Sequence, residues 1–256
     1  MNLFDLTKKN AVVIGGTSTL GSAIAVGLAG HGASVVVVGR DNEKAKAVKA
    51  RIEQTGGDAK SFILSSATDK EELIRLEREI VDWRGGTDIL VNSAGVNSTT
   101  PFFEITETEW DHIMDVNLKA VLLACQVFGA AMIQRGRGGS VINISSASSD
   151  PPLSKVVTYS ASKAAINNLT QYLAREFASE RIRVNAIVPG FFPAEQNRKI
   201  LTPERTEDIL RHTPMMRFGE ASELQGAAVW LASESASGFV TGALIRVDGG
   251  FGAMTI

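Results

Sequence analysis

Short apolar runs alternate with longer charged or amphipathic segments along the whole chain, and this alternation limits the folds that the chain can adopt. Seven runs have the length of strands, at residues 10–16, 35–38, 59–64, 88–91, 140–144, 182–188 and 243–247. Six segments have a helical composition, at residues 17–31, 42–54, 70–83, 107–134, 156–179 and 221–232. Strands that are apolar throughout, with helices between them, are typical of a parallel sheet covered on both faces. The pattern therefore predicts a doubly wound α/β fold.

No linker, internal repeat or low-complexity tract divides the sequence. We therefore expect residues 1–256 to form one Rossmann-type domain, with a seven-stranded parallel sheet flanked by helices. Residues 190–218 are rich in proline and interrupt the alternation, so they are predicted to be an excursion from the sheet.

Composition excludes several classes of partner. The formal net charge is −2, which gives no overall field to attract nucleic acid or an anionic membrane. The apolar run 120–133 is too short to span a bilayer and indicates a buried or interface helix. A single cysteine, Cys125, fits a reducing compartment, and the first residues lack a secretory pattern. We expect a cytoplasmic protein without a metal site.

A glycine-rich turn joins the first predicted strand to the first predicted helix. Glycine at such a turn lets the backbone approach a pyrophosphate closely, and the N-terminus of the helix favours its negative charge. Glycine can also serve a tight turn for its conformation alone, and that alternative stays open here. The candidate nucleotide-binding residues are Gly15, Thr17, Ser18, Thr19, Leu20 and Gly21.

The end of the second strand gives a hint about which nucleotide would bind. The sequence there is Gly39-Arg40-Asp41, and an arginine suits a 2′-phosphate whereas an acid suits ribose hydroxyls. Arg40 therefore favours NADP, while the neighbouring Asp41 keeps NAD possible. The alternative is that Arg40 only begins a solvated helix.

Tyr159 and Lys163 are four residues apart in a predicted helix, so their side chains project from one face, one turn apart. A lysine ammonium at that spacing is expected to lower the pKa of the phenol towards working pH. Ser146 precedes them across a loop, where a hydroxyl can bond the same substrate oxygen. Such a pair is often only a solvated helix face, so it carries meaning only beside a cofactor site.

These features together resemble the short-chain dehydrogenase/reductase family over essentially the whole chain. The spacing of thirteen residues from Ser146 to Tyr159 is part of that resemblance. A further family signature is present at residues 247–250. The other matching positions are Asn92, Ala94, Gly95, Asn117, Ser146, Tyr159, Lys163, Pro189 and Gly190.

The resemblance implies roles for these residues. Tyr159 would exchange the proton on the substrate oxygen, Lys163 would hold the nicotinamide ribose and lower the tyrosine pKa, and Ser146 would steady the carbonyl. Asn117 would keep a water that links Lys163 to solvent. Without the family context, a helical Asn that bonds locally is the simpler interpretation of Asn117.

Three positions depart from the family pattern and bear on cofactor affinity. Thr19 replaces the middle glycine of the turn, and Ser66 stands where an Asp usually lies near the adenine. Ala194 occupies a position where many members carry a Thr that contacts the nicotinamide carboxamide.

Residues 183–198 and 212–219 resemble the D-mannonate oxidoreductase (fructuronate reductase) branch of the family. Gln196, Asn197 and Arg198 follow the Pro-Gly turn, where a substrate lid spanning about 190–218 would lie. Arg198 would bind a sugar-acid carboxylate, or would instead cap a helix of the excursion. The resemblance implies an oxidoreductase of a keto sugar acid or related polyol, such as fructuronate or mannonate.

The sequence is also compatible with two other functions, and it predicts an oligomer. Arg135, Arg137 and Arg175 offer a basic patch for an acidic carrier protein, as a 3-oxoacyl-[acyl-carrier-protein] reductase requires. The departures at the cofactor site would also suit a non-catalytic NADP sensor. Surplus apolar residues on the helices 107–134 and 156–179 predict a homotetramer, and they include Val121, Leu122, Leu123, Val127 and Phe128.

Overall fold

The structure is a computed structural model that describes residues 2–193 and 201–254. All seven predicted strands form one parallel sheet in the order β3-β2-β1-β4-β5-β6-β7. The strands are β1 (Asn10–Ile14), β2 (Ser34–Gly39), β3 (Asp58–Ile63), β4 (Ile89–Asn92), β5 (Gly139–Ile144), β6 (Ile182–Pro189) and β7 (Leu244–Val247). The predicted Rossmann-type α/β fold is therefore confirmed.

Helices cover both faces of this sheet. They are α1 (Thr19–Gly30), α2 (Asn42–Gln54), α3 (Lys70–Arg84), α4 (Glu107–Met114), α5 (Ala120–Arg135), α6 (Val157–Phe177), α7 (Pro203–His212), α8 (Gln225–Ala232) and α9 (Glu234–Ser237). Within β1, Val13 faces the cluster built with α1, α2 and α8, whereas Val12 and Ile14 face the cluster built with α3, α5 and α6. This alternation with a period of two places apolar residues on both buried faces, which explains why β1 is apolar from Ala11 to Ile14.

The predicted helix 107–134 is not continuous. It consists of α4, one turn of π helix (Asp115–Lys119) and α5. A π turn offsets the hydrogen-bonding register by one residue, and such turns often lie at functional sites. Asn117 is at the centre of this turn and is fully buried.

Smaller differences affect the C-terminal part of the chain. The predicted helix 221–232 begins with a 3₁₀ turn (Ala221–Leu224), and the short helix α9 was not predicted. Part of the predicted excursion is the helix α7, which begins at Pro203 after the capping residue Thr202. Proline at the first helical position needs no hydrogen-bond partner, which explains the start of α7.

The helical run Glu107–Arg135 is long and apolar enough to cross a membrane by composition alone. Half of its most apolar window is buried inside the fold. Val121 and Phe128 pack in the core cluster with α3 and α6, as expected for a core helix.

Candidate active site

The sheet order reverses direction between β1 and β4, and a cleft opens beyond the carboxyl ends of these strands. Ligands of doubly wound folds bind at such a switch point. The cleft has a volume of about 1060 Å³. The sequence-predicted site residues that line it are Gly15, Thr17, Ser18, Thr19, Leu20, Arg40, Ser66, Ala94, Gly95, Ser146, Tyr159, Lys163, Pro189 and Gly190.

Three predicted residues support the cleft without lining it. Gly21 packs on the turn, because a Cβ at this position would collide with the carbonyl of Gly15. The amide of Asn92 is buried and donates to Asn143 Oδ1 over 2.9 Å. Asn117 is the third. The predicted contacts of Ala194, Gln196, Asn197 and Arg198 lie outside the described residues.

The glycine turn has the conformation that its sequence requires. Gly15 has a φ of 80°, and a Cβ there would lie 2.5 Å from the backbone nitrogen of Ala94. Ser18 caps α1 by accepting a hydrogen bond from the N–H of Gly21 over 3.1 Å. Thr19, which departs from the family pattern, is the first residue of α1 and has no positive φ, so its Cβ causes no strain.

Asn117 fastens the loop after β4 to α6. Its Oδ1 accepts from the N–H of Val96 over 2.8 Å, and its Nδ2 donates to the Val96 carbonyl and to Ser162 Oγ, both over 3.0 Å. A Cβ on Gly95 would lie 3.4 Å from Asn117 Oδ1 and 3.6 Å from Lys163 Nζ. The π turn thus directs a buried amide towards the lysine and the loop that lines the cleft.

The hydroxyl of Ser146 has a defined direction. Its Oγ accepts two hydrogen bonds from Ser148, one from the N–H over 3.2 Å and one from the hydroxyl over 3.1 Å. Because both lone pairs are used, the proton of Ser146 is left to point at another acceptor. The side chain of Ser146 also hydrogen-bonds Tyr159, which lies in the cleft.

Lys163 is buried on α6, one turn after Tyr159. Its Nζ donates to the carbonyl of Ile144 at the end of β5 over 2.8 Å. The same Nζ lies 5.6 Å from the centre of the Tyr159 ring. Burial without a carboxylate partner lowers the pKa of Lys163 to about 8.

The direction of the tyrosine pKa differs from the sequence-based expectation. Burial raises the pKa of Tyr159, and the hydrogen bond from Ser146 only partly opposes this. Lys163 does not reverse the direction, because its Nζ is directed at the Ile144 carbonyl and burial disfavours its charge. In the free protein Tyr159 is therefore a neutral phenol at ordinary pH.

The other end of the cleft, after β2 and β3, is more exposed. Arg40 lines it, and no carboxylate of the described residues forms an ion pair with Arg40. Asp41 turns away to cap α2, accepting from the N–H groups of Glu43 over 2.9 Å and Lys44 over 3.1 Å. The acid that kept NAD possible is therefore engaged with the helix N-terminus.

Ser66 shapes the loop after β3. Its Oγ accepts from the N–H of Thr68 over 3.1 Å and bonds the Thr68 hydroxyl over 2.7 Å. Glu72 holds the preceding residue, because its carboxylate accepts from the N–H of Ser65 over 2.7 Å. Ser66 therefore forms a local turn after β3.

Several contributors were not identified from the sequence. Ser148 is separated from Ser146 by one residue, and a hydroxyl at that distance is a signal for a local turn. Arg205 lines the cleft from α7, and its helix was signalled by Thr202-Pro203, the cap and first residue. Glu72 could not be recognised from the sequence, because an acidic residue is common in the first turn of a helix.

The cleft fits a dinucleotide. The first-turn N–H groups of Thr19 and Leu20 have no intrahelical partner, and they lie where a diphosphate would accept hydrogen bonds. The glycines at positions 15 and 21 leave the close turn that a Cβ would fill. A bound nicotinamide dinucleotide would supply hydride transfer, and Tyr159 and Lys163 would face its reactive end.

A parallel sheet with a nucleotide cleft and a Ser-Tyr-Lys set defines a nicotinamide-dependent oxidoreductase. The sequence model of the family described as enoyl-(acyl carrier protein) reductase matches residues 15–252. The chain belongs to the short-chain dehydrogenase/reductase family, whose members act on CH–OH donors.

Three similar proteins are named for gluconate or D-mannonate. Gluconate 5-dehydrogenase of Gluconobacter oxydans (strain 621H) is 35% identical, over 97% of this chain and 96% of its own. The structure of a gluconate 5-dehydrogenase from Burkholderia cenocepacia J2315, with NADP and tartrate, has a TM-score of 0.94 and 32% identity over 99% of both chains. A provisionally assigned D-mannonate oxidoreductase from Haemophilus influenza, with bound NAD, has a TM-score of 0.91 and 34% identity over 98% of this chain and 97% of its own.

Proposed function

We propose that this protein is a cytoplasmic, NADP-preferring reductase of a keto sugar acid or a related polyol. The observation that carries the proposal is the convergence of Ser146, Tyr159 and Lys163 in the cleft that begins at the glycine turn. Relatives named as gluconate 5-dehydrogenases support the substrate class, as does the sequence phrase at residues 191–198.

The proton chemistry follows from the side chains of this chain. Tyr159 donates its proton to the carbonyl oxygen of the substrate, and the Ser146 hydroxyl, whose lone pairs are used by Ser148, donates a second hydrogen bond to that oxygen. Lys163 has N–H groups beyond its bond to Ile144, and these are available to a ribose hydroxyl. The remaining lone pair of Asn117 Oδ1 faces the same region and suits a water that exchanges protons with Lys163.

The raised pKa of Tyr159 favours the reductive direction near neutrality. A neutral phenol is ready to give a proton to a carbonyl oxygen, whereas alcohol oxidation requires the phenolate. We therefore expect reduction to be fast at pH 7 and oxidation to become faster as pH rises.

The preference for NADP rests on Arg40. Its guanidinium lies at the ribose end of the cleft with no carboxylate partner among the described residues, and Asp41 is engaged at the start of α2. A guanidinium matches phosphate oxygens bidentately.

A carrier-protein reductase loses part of its support. Arg135, one of the three arginines proposed for a basic patch, is mostly buried and donates to Asp88 over 2.9 Å and to the Thr87 carbonyl over 2.5 Å. Its charge is committed inside the subunit. Only Arg137 and Arg175 remain exposed.

We also propose that the protein is a homotetramer. The apolar surface available for contacts between subunits is smaller than the sequence suggests. Val121 and Phe128 are buried within the subunit, so they are not part of an apolar surplus. Leu122 and Ile133 on α5 and Tyr172 on α6 stay exposed and are available to a neighbouring subunit. Light scattering at micromolar concentration should give four times the subunit mass, and a monomer would contradict the proposal.

The test of the function is a substrate panel of ketouronates, ketoses and β-ketoacyl thioesters, each assayed with NADPH and NADH. We expect the highest kcat/KM for a keto sugar acid with NADPH. Faster turnover of the thioester would assign the chain to carrier-protein reduction instead. If the protein binds the nucleotide but none of the carbonyl compounds leads to oxidation of NADPH, the protein is a sensor.

A further inference from the structure

Arg205 lines the same cleft as Tyr159, from the first turn of α7. It is the third residue of α7, where its N–H is capped by Thr202 Oγ over 3.2 Å. Its Nη2 donates to the carbonyl of Ser154 over 3.3 Å, in the loop that leads into α6 and Tyr159. The cap fixes the backbone of Arg205, and the bond to Ser154 ties its guanidinium to the loop that leads into α6.

The guanidinium of Arg205 has donors to spare. An arginine has five N–H donors, and one of them is used by Ser154. Within residues 2–193 and 201–254, no carboxylate lies within ion-pair distance of Arg205. A half-buried cation in a ligand cleft, with no counter-ion among the residues that the structure describes, is suited to an anionic ligand.

The surroundings of Arg205 strengthen an ionic contact. The apolar residues Leu153, Phe192 and Phe218 line the same cleft, and an apolar lining strengthens a charge-assisted hydrogen bond. Of the two acids in the lining, Asp115 pairs with Lys119 over 3.2 Å and Asp41 caps α2, and neither forms an ion pair with Arg205. Arg40 and Lys44 line the cleft where β2 ends, at the nucleotide end.

We propose that Arg205 binds the carboxylate of the substrate and thereby selects sugar acids over neutral sugars. The inference rests on the proposed function, because the carbonyl to be reduced must lie at Tyr159. A planar guanidinium takes a carboxylate bidentately, which also fixes the orientation of the chain of hydroxyls between the two ends of the substrate.

Kinetics of the variants R205M, R205Q and R205K test the role in turnover. With a keto sugar acid, R205M and R205Q should raise KM about 10- to 100-fold, while kcat and the KM for NADPH change little. R205K should retain part of the affinity, because it keeps the charge but not the fork. For the neutral ketose of the same length, no variant should change KM.

The matched control is R211M. Arg211 lies on the same helix, is exposed, and pairs with Asp208 outside the cleft. Its replacement should leave the ratio of kcat/KM for acid and neutral substrates unchanged. Circular dichroism checks that each variant is folded. If R205M is unfolded, R205Q and R205K replace it in the same measurements.

Calorimetric binding of D-gluconate and D-glucitol, with NADP⁺ present, gives a readout that needs no turnover. The wild type should bind gluconate at least about tenfold more tightly than glucitol, and R205M should lose this difference. Equal binding of the two probes by the wild type, or discrimination kept in R205M, would overturn the proposal. Discrimination lost in R205M, in a protein that reduces no keto acid, would retain the subsite and reject the proposed function. Normal reduction of the keto acid by R205M would reject the carboxylate subsite at Arg205 and retain the proposed function.

Discussion

The two ends of the cleft are built in different ways. At the catalytic end, Lys163 and Asn117 are buried and each is fixed by hydrogen bonds to backbone atoms of other elements. At the ribose end, Arg40 is exposed and Ser66 lies in a loop that is held by Glu72. The first end depends on the whole fold, whereas the second depends on a few surface side chains.

This contrast separates chemistry from cofactor choice. Asn117 on the π turn bonds Ser162 on α6, and Lys163 on α6 bonds Ile144 at the end of β5, so moving either side chain would require a change in another element as well. On the proposed role of Arg40, a different residue at this one exposed position would be enough to change the nucleotide preference. We therefore expect mutations at the catalytic end to have large effects on rate and stability, and mutations at the ribose end to have graded effects on KM.

The largest expected effect is that of Tyr159→Phe. The variant keeps the ring and removes the hydroxyl that hydrogen-bonds Ser146. Loss of general acid–base catalysis typically lowers kcat by about 10²–10⁴-fold, while NADPH binding should stay within a few-fold of wild type. Stopped-flow turnover and fluorescence titration measure the two quantities. Tyr172→Phe, at the exposed second tyrosine, is the control and should be neutral; a Tyr159→Phe variant with most of its activity would refute the assignment.

The second prediction concerns stability. Burial lowers the pKa of Lys163 from 10.5 to about 8, so the unfolded chain binds this proton more tightly than the folded one. The buried ammonium therefore costs about 3 kcal/mol at every pH below about 8, and the cost fades as pH rises from about 8 to 10.5. Lys163→Met should raise the free energy of unfolding at pH 7 by about 2 kcal/mol, after about 1 kcal/mol is lost with the Ile144 hydrogen bond.

Urea unfolding without nucleotide, at pH 7 and pH 10, checks this difference. The gain should shrink at pH 10, whereas the exposed control Lys46→Met should change little at either pH. A Lys163→Met protein that is less stable than wild type at pH 7 would show that the buried charge is compensated. The buried ammonium of Lys163 would then not lower the free energy of unfolding, as a functional group that is retained at the expense of stability should.

The third prediction concerns Arg40→Ala. At an exposed position, a contact with the 2′-phosphate is screened by salt, so we expect the KM for NADPH to rise about tenfold at low ionic strength and less at high. The KM for NADH should barely change. Arg78→Ala is the control, because Arg78 is exposed on α3 and does not line the cleft. Equal losses for both cofactors would mean that Arg40 does not read the 2′-phosphate.

The sequence predicted β1, β2 and β4 well because each is apolar on both faces and is bounded by turn residues. β1 and β2 could be located from runs such as Val35–Val38 without knowledge of the partners. The π turn at Asn117 could not be predicted, because the apolar periodicity continues through it and only the bonds to Val96 and Ser162 hold the amide inward.

The candidate site was predicted where a local motif carries it. Ser146, Tyr159 and Lys163 are close in sequence, so the spacing already brings them near one another. Arg205 is about fifty residues from Ser154, which it contacts, and no local pattern signals that approach. The pKa of Tyr159 was misjudged because burial, a property of the packed structure, outweighs the neighbouring lysine.

The smallest expected effect is that of Ser66→Asp. An aspartate can still accept from the N–H of Thr68, so the turn after β3 should persist. Its second carboxylate oxygen would accept from the adenine amino group more strongly than a hydroxyl does, so we expect KM to fall by roughly two- to fivefold for NADPH and NADH alike. The adenine is common to both cofactors, which makes equal gains the distinguishing result. The variant Ser66→Ala, which removes the acceptor for Thr68, should weaken both cofactors. If Ser66→Asp instead changed the ratio of the two KM values, position 66 would act at the ribose together with Arg40, and the adenine would lie elsewhere in the cleft.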